Sequence, residues 1–131
     1  MKHPYGELLG LSVIEQRDGA SRLTIETGAH LHNPQNVVHG GVLYSLADTG
    51  MAAALYPTLK PGEICATIDI HMSYFKPVTA GLLICDTRII NRGKRVAHLE
   101  SNVFCRDVLV ARAVGNFSIL IPSSANSLAG A

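Results

Sequence analysis

The chain reads as an α+β domain in which a curved antiparallel sheet of five to six strands wraps one long central helix. Three observations predict it. The segment from about residue 40 to 56 is apolar around nearly its whole circumference, and Asp48 is the only charge between Gly41 and Tyr56. A helix of that kind must be enclosed by something. The rest of the chain runs in apolar stretches of strand length, broken by Asp-Gly, Pro-Gly and Arg-Gly turn signals. At 131 residues there is room for one substantial core. An antiparallel sheet folded around the helix is the simplest wrapping.

In chain order, residues 1–10 form a short lead-in with one helical turn. Leu11 to Arg17 read as a strand with Leu11, Val13 and Glu15 on one face and imperfect alternation at Ile14. Asp18-Gly19 is a two-residue hairpin signal, and Leu23, Ile25 and Thr27 alternate on the return strand. Residues 28–38 form a loop holding His30, His32, Asn33, Pro34 and Asn36; the helix follows and Pro57 ends it. After a turn at Lys60-Pro61-Gly62 come four strands, expected in meander order: Cys65 to Tyr74, Gly81 to Ile90, Val96 to Cys105 and Val108 to Leu120. Asn91-Arg92-Gly93-Lys94 and Arg106-Asp107 are the hairpin tips between the last three. Residues 1–122 are one domain with no linker, and 123–131 are expected to be a frayed tail.

Composition narrows the function classes. The chain is 47% hydrophobic and 16% charged, a surface so short of charge that part of it is expected to be buried in an oligomer. A net charge of +1 offers no broad nucleic-acid surface. No apolar run reaches the ~18–20 residues of a membrane span, and the first residues lack the apolar core of a signal peptide. Cys65, Cys85 and Cys105 form no CxxC and read as small buried side chains in a reducing compartment, so the cytoplasm is expected. His30 and His32 share a face of an extended segment, but no Cys or acid is spaced to complete a metal site, so neither metal nor cofactor is expected.

The chemistry concentrates around the helix. A carboxylate amid so much aliphatic surface is costly unless it is paired, hydrogen-bonded or used. His39-Gly40-Gly41 opens the same helix and leaves backbone N–H groups at its positive end. Such a place can hold a carbonyl oxygen that becomes negative during reaction. A carboxylate base with an oxyanion site suggests acyl-group hydrolysis.

Two strands, a long helix and four further strands describe the hotdog fold. Asn33, then His39-Gly40-Gly41 six residues on, then Asp48, then Ala66-Thr67-Ile68-Asp69 and Tyr74-Phe75-Lys76-Pro77 with Gly81, resemble the PaaI-like acyl-coenzyme A thioesterases over roughly residues 8 to 120. The resemblance implies Asp48 as general base, or less often nucleophile, and Gly40 N–H as oxyanion donor. It implies that Asn33 places the attacking water, that His39 holds the turn and bonds the carbonyl or leaving sulfur, and that Thr67 stands near the water. Gly41 belongs to the same substrate-binding turn. Arg92, Lys94 and Arg95 at one hairpin tip are candidates for the coenzyme A phosphates, with Lys76 a weaker one; the competing reading is a solvated turn. Packing competes for Thr67, and a plain turn for Asn33-Pro34.

Helix geometry adds an independent constraint. Gly40 and Asp48 are eight residues apart, about 12 Å along a helix axis. A donor and a base acting on one carbonyl must both reach it at hydrogen-bond range. A second chain docked antiparallel would bring its Asp48 to this chain's Gly40, so a homodimer with shared sites, or a dimer of such dimers, is expected. The resemblance implies the same arrangement. Hotdog hydratases and dehydratases use either an Asp with His five residues later or a His-Phe-Pro-Gly loop with a helical Glu; neither pattern is present. A non-catalytic acyl-coenzyme A binding module would leave Asp48 and Asn33 unexplained.

Overall fold

The computed structural model describes residues 2–122; the expected tail lies outside the described residues. A short helix α1 (Pro4–Leu9) leads into strands β1 (Leu11–Arg17) and β2 (Ala20–Glu26). The long helix α2 (Gly40–Leu55) follows, then β3 (Ile64–Tyr74), β4 (Leu82–Arg92), β5 (Val96–Cys105) and β6 (Val108–Leu120). All strand pairs are antiparallel, and they form one sheet in the order β1-β2-β4-β5-β6-β3. The imperfect alternation at Ile14 has a cause: pairing with β2 shifts between Val13 and Glu15, so Ile14 is a bulge.

The meander expected for the last four strands needs correction. β4, β5 and β6 do run as a meander, but β3 pairs with β6 at the far edge. The link from β3 to β4 is a crossing segment rather than a hairpin. Phe75 and Lys76 N–H donate to Val110 O (2.8 and 3.3 Å), Val38 N–H donates to Val78 O (2.7 Å), and Thr27 N–H donates to Gly81 O (3.1 Å). The segment thus travels across the end of the sheet from β6 to β2. Pro77 lies within it and supplies no N–H to a ladder. The strand after it also runs further than expected, through Arg92, which moves the hairpin tip to residues 93–95.

The wrapping of α2 is one-sided. Val42, Leu43, Leu46, Ala47, Gly50, Met51, Ala54 and Leu55 are buried, against Leu23, Ile25, Leu83, Leu99 and Phe117 of the sheet among others. At Gly50 the helix comes so close that a Cβ would lie 2.7 Å from Thr87 Oγ1. Ser21 Oγ donates to Gly50 O (2.7 Å), and the Thr87 and Ser101 hydroxyls bond each other at 2.7 Å, so this tight contact carries no orphaned polar group. The opposite stripe, Gly41, Tyr44, Ser45, Asp48, Thr49 and Ala52, stays partly exposed.

Candidate active site

The site begins in the loop before α2. Loop residues His32 and Val38 form an isolated bridge, and His39 N–H donates to Leu31 O (2.9 Å), so the loop closes like a small hairpin with Asn33 near its tip. Asn33 Oδ1 accepts from Gln35 N–H (2.9 Å) and Val37 N–H (3.4 Å), and Asn36 takes the left-handed turn conformation (φ 64). Two backbone donors on Oδ1 fix which end of the amide is which. The Nδ2 group is therefore the end left to donate outward.

His39 is the N-cap of α2, and its Nδ1 accepts from Gly41 N–H at 2.8 Å. That bond uses the Gly41 donor and puts the ring proton on Nε2. Gly40 N–H has no partner among the described residues. Of the two glycine donors the sequence offered, one is thus spent on the cap and the other is open at the positive end of the helix. Tyr74, at the end of β3, donates its hydroxyl to Gly40 O at 2.7 Å. Its ring lies 3.2 Å from where a Gly40 Cβ would stand, so a larger residue there would need the ring to give by a few tenths of an ångström. Burial, with Tyr44 nearby, raises the Tyr74 hydroxyl above its ordinary range, so it stays a donor at neutral pH. Tyr74, Phe75, Lys76 and Val78 line a hollow beside Gly40.

Asp48 lies two turns further along α2, half-exposed on the uncovered stripe. Thr67 of β3 donates its hydroxyl to Asp48 Oδ1 at 2.6 Å. No cation pairs with Asp48 among the described residues. Cys65, two residues before Thr67 and so on the same face of β3, has its thiol raised by burial and, secondarily, by the Asp48 carboxylate. Both groups sit with Asp48 in this chain, while His39, Gly40 and Tyr74 meet at the N-terminal end of α2 and Asn33 stands in the loop before it.

The cationic tip divides. Arg92 is half-buried: its guanidinium donates to Thr58 Oγ1 (3.0 Å), Thr58 O (3.1 Å) and Gly93 O (2.6 Å), and stands 3.7 Å from Glu63. It staples β4 to the turn that ends α2. Lys94 and Arg95 are exposed and make no ion pair among the described residues. Tyr74 and Phe75 line the hollow beside Gly40, whereas Met51 of α2 is fully buried core. The reading of the sequence missed the Tyr74 bond to Gly40 and the place of Cys65 beside Asp48. The second was accessible, because residues two apart on a strand share a face.

The comparisons with known proteins bear on the fold and the family. The model of the thioesterase superfamily matches residues 35–111, more than half of the chain. A protein of Archaeoglobus fulgidus named as an esterase is 28% identical over 92 residues, 70% of this chain; the chain spans 58% of that relative's length. The 1,4-dihydroxy-2-naphthoyl-CoA hydrolase of Listeria monocytogenes is 25% identical over 88 residues, 67% of this chain and 72% of that protein. A mutant of the phenylacetic acid degradation protein PaaI from Thermus thermophilus superposes with a TM-score of 0.84 at 28% identity, covering 90% of this chain and all of that one. With its one long helix against a six-stranded antiparallel sheet, the chain belongs to the thioesterase superfamily, as a PaaI-like member with the hotdog fold.

Proposed function

We propose that the protein hydrolyses acyl-coenzyme A thioesters at sites shared between two copies of the chain. The observation that carries this reading is the division of one helix into two unlike halves. Gly40 offers an open N–H at its start, and Asp48 offers a carboxylate held by Thr67 about 12 Å further on. Each half lacks what the other has. β3 is an edge strand of eleven residues, and Ala66, Thr67 and Ile68 on it are exposed. Pairing with β3 of a second copy would cover that edge and bring each Asp48 towards the partner's Gly40. The partly exposed stripe of α2 would be covered at the same time.

In such a site Gly40 N–H, with the helix dipole behind it, receives the thioester oxygen. Asn33 Nδ2 donates to the attacking water, and Asp48 takes that water's proton as it adds to the carbonyl carbon. The carbon–sulfur bond then breaks, and the proton returns from Asp48 to the departing sulfur, giving acid and thiol. Direct attack by the Asp48 carboxylate is the variant of the same scheme. His39 Nε2–H is a further donor for the carbonyl or sulfur, and Gly41 serves by fixing His39. Lys94 and Arg95, with Arg92 anchoring the tip, are the proposed contacts for the coenzyme A phosphates. The cytoplasm is the proposed setting, in keeping with the free thiols of Cys65, Cys85 and Cys105.

A panel of acyl-coenzyme A esters with a thiol-reactive dye tests the activity: thiol release is expected, and binding without release would make the protein a ligand-binding module. The shared site is tested by mixing two inactive variants, Asp48→Ala and Asn33→Ala. Random re-pairing makes about half the dimers mixed, each with one intact site, so activity should recover to about a quarter of wild type. No recovery despite demonstrated subunit exchange would defeat the shared arrangement.

A further inference from the structure

Thr67 and Tyr74 lie on one strand, seven residues apart, and both reach α2. Thr67 donates to Asp48 Oδ1, and Tyr74 donates to Gly40 O. A regular strand forbids this, because side chains alternate and an odd separation puts two residues on opposite faces. The pairing of β3 with β6 resolves the conflict. Thr67 stands opposite Phe117 and Asp69 opposite Asn116, so the register skips Ile68, which is an exposed bulge. Upstream of it, Cys65 and Thr67 pair with Ile119 and Phe117, both core residues. Downstream, Met72 and Tyr74 pair with Ala113 and Ala111, also in the core, while Asp69 turns to the outer face beside Asn116. One extra residue thus changes the phase of the strand between the two contacts. We propose that this bulge is a positioning device of the site, pinned from the outer face of the sheet, and that Asp69 acts through Thr67 to hold the Asp48 carboxylate. This rests on the thioesterase reading and adds a positioning residue to it.

The bulge is held from both faces. On the outer face Asn116 Nδ2 donates to Asp69 Oδ1 (2.9 Å), and His98 Nδ1–H donates to Asn116 Oδ1 (2.8 Å). A carboxylate only accepts, so Asp69 fixes the orientation of the amide and, through it, the tautomer of His98. The row ties β3 to β6 and β5 at the residue that follows the bulge. On the inner face Gly115 leaves the room the bulge requires: a Cβ there would lie 3.0 Å from Asp69 O and 2.8 Å from Met51 Sδ. β3 is an edge strand, so within one chain β6 is the neighbour that sets its phase. Asp69 makes no ion pair among the described residues and takes no part in the chemistry proposed above. Its bond to Asn116 is what it contributes, two residues from the hydroxyl that Asp48 receives.

The test starts from Asp69→Ala, at an exposed position, with folding checked by circular dichroism and oligomeric state by size-exclusion chromatography. On an acyl-coenzyme A ester that the wild type cleaves, kcat should fall about fivefold with KM within about twofold. Asp69→Asn keeps the acceptor oxygen and should restore kcat to within about twofold of wild type. Asn116→Ala removes the same bond from the β6 side and should reproduce the fall. Because Asp69 acts through Thr67, the double variant Asp69→Ala with Thr67→Val should fall no more than about twofold below Thr67→Val alone. Losses that multiply in the double variant overturn the inference. So does an Asp69→Asn variant as impaired as Asp69→Ala. An Asp69→Ala variant with a lower denaturation midpoint but an unchanged kcat makes the row a tie between strands and nothing more, which overturns the positioning role while leaving thioester hydrolysis in place. A wild type that releases thiol from no ester defeats the functional reading, and this inference falls with it.

Discussion

Two carboxylates, Asp48 on α2 and Glu100 on β5, show how differently one fold can house the same group. Glu100 is 7% exposed on the face of the sheet away from the helix. Both its oxygens are taken: Arg88 Nε donates to Oε1 and Arg112 Nη2 to Oε2, each at 2.6 Å. Charge and hydrogen-bonding capacity are both spent on neighbouring strands. Among the described residues Asp48 is more exposed, pairs with no cation, and receives a single hydroxyl on one oxygen. Its other oxygen is open towards the uncovered stripe. Saturation marks an acid that ties strands together; an acid held on one side and open on the other is prepared for a proton or a substrate.

Substitutions can break or sharpen that contrast. Asp48→Asn should have the largest effect, lowering kcat by about 10²–10⁴-fold in a chain that still folds, since a near-isostere is kept but no proton can be taken. Steady-state kinetics with circular dichroism check it, and a folded variant keeping most of its kcat would remove Asp48 from the chemistry. Thr67→Val comes next. It deletes the donor on Oδ1 while preserving shape, and a lost hydrogen bond of about 1–1.5 kcal/mol predicts roughly a tenfold fall in kcat with KM little moved. An unchanged kcat would show the bond to be packing alone. Glu100→Gln should have the smallest effect on turnover, within about twofold, and appear instead as lost stability. Arg88 and Arg112 are well solvated, so the loss should be about 1–2 kcal/mol, read as a lower denaturation midpoint. A large drop in kcat there would erase the distinction between the two acids.

The same contrast explains what the sequence made legible. Asp48 stood out because its surroundings are local: one charge in sixteen helical residues, next to a His-Gly-Gly turn. Strand hairpins closed by Asp18-Gly19 and Arg106-Asp107 were legible for the same reason, and even the bulge at Ile14 left a trace in the alternation. Glu100 drew no notice, because each of its arginines is twelve residues away and meets it only through strand register. Arg92 read as a candidate phosphate contact at a hairpin tip, and its guanidinium is instead engaged by Thr58, which lies thirty-four residues earlier in the chain. The misplaced β3 has the same origin: consecutive strands are adjacent by default, and nothing short-range announces that a link will cross the sheet.

That crossing also sets an order of assembly. β1 with β2, β4 with β5, and β5 with β6 close across turns of two or three residues. β3 can take its place only after β6 exists, and their pairing encloses the whole of β4 and β5. Closing so long a stretch of chain carries a larger entropic cost than any of the local turns, and contacts of that kind form late. Thr67 rides on β3, so Asp48 acquires its hydroxyl donor among the last events of folding. A chain emerging from synthesis would hold its helix and its carboxylate before it holds the group that orients that carboxylate, and catalytic competence would trail secondary structure in time.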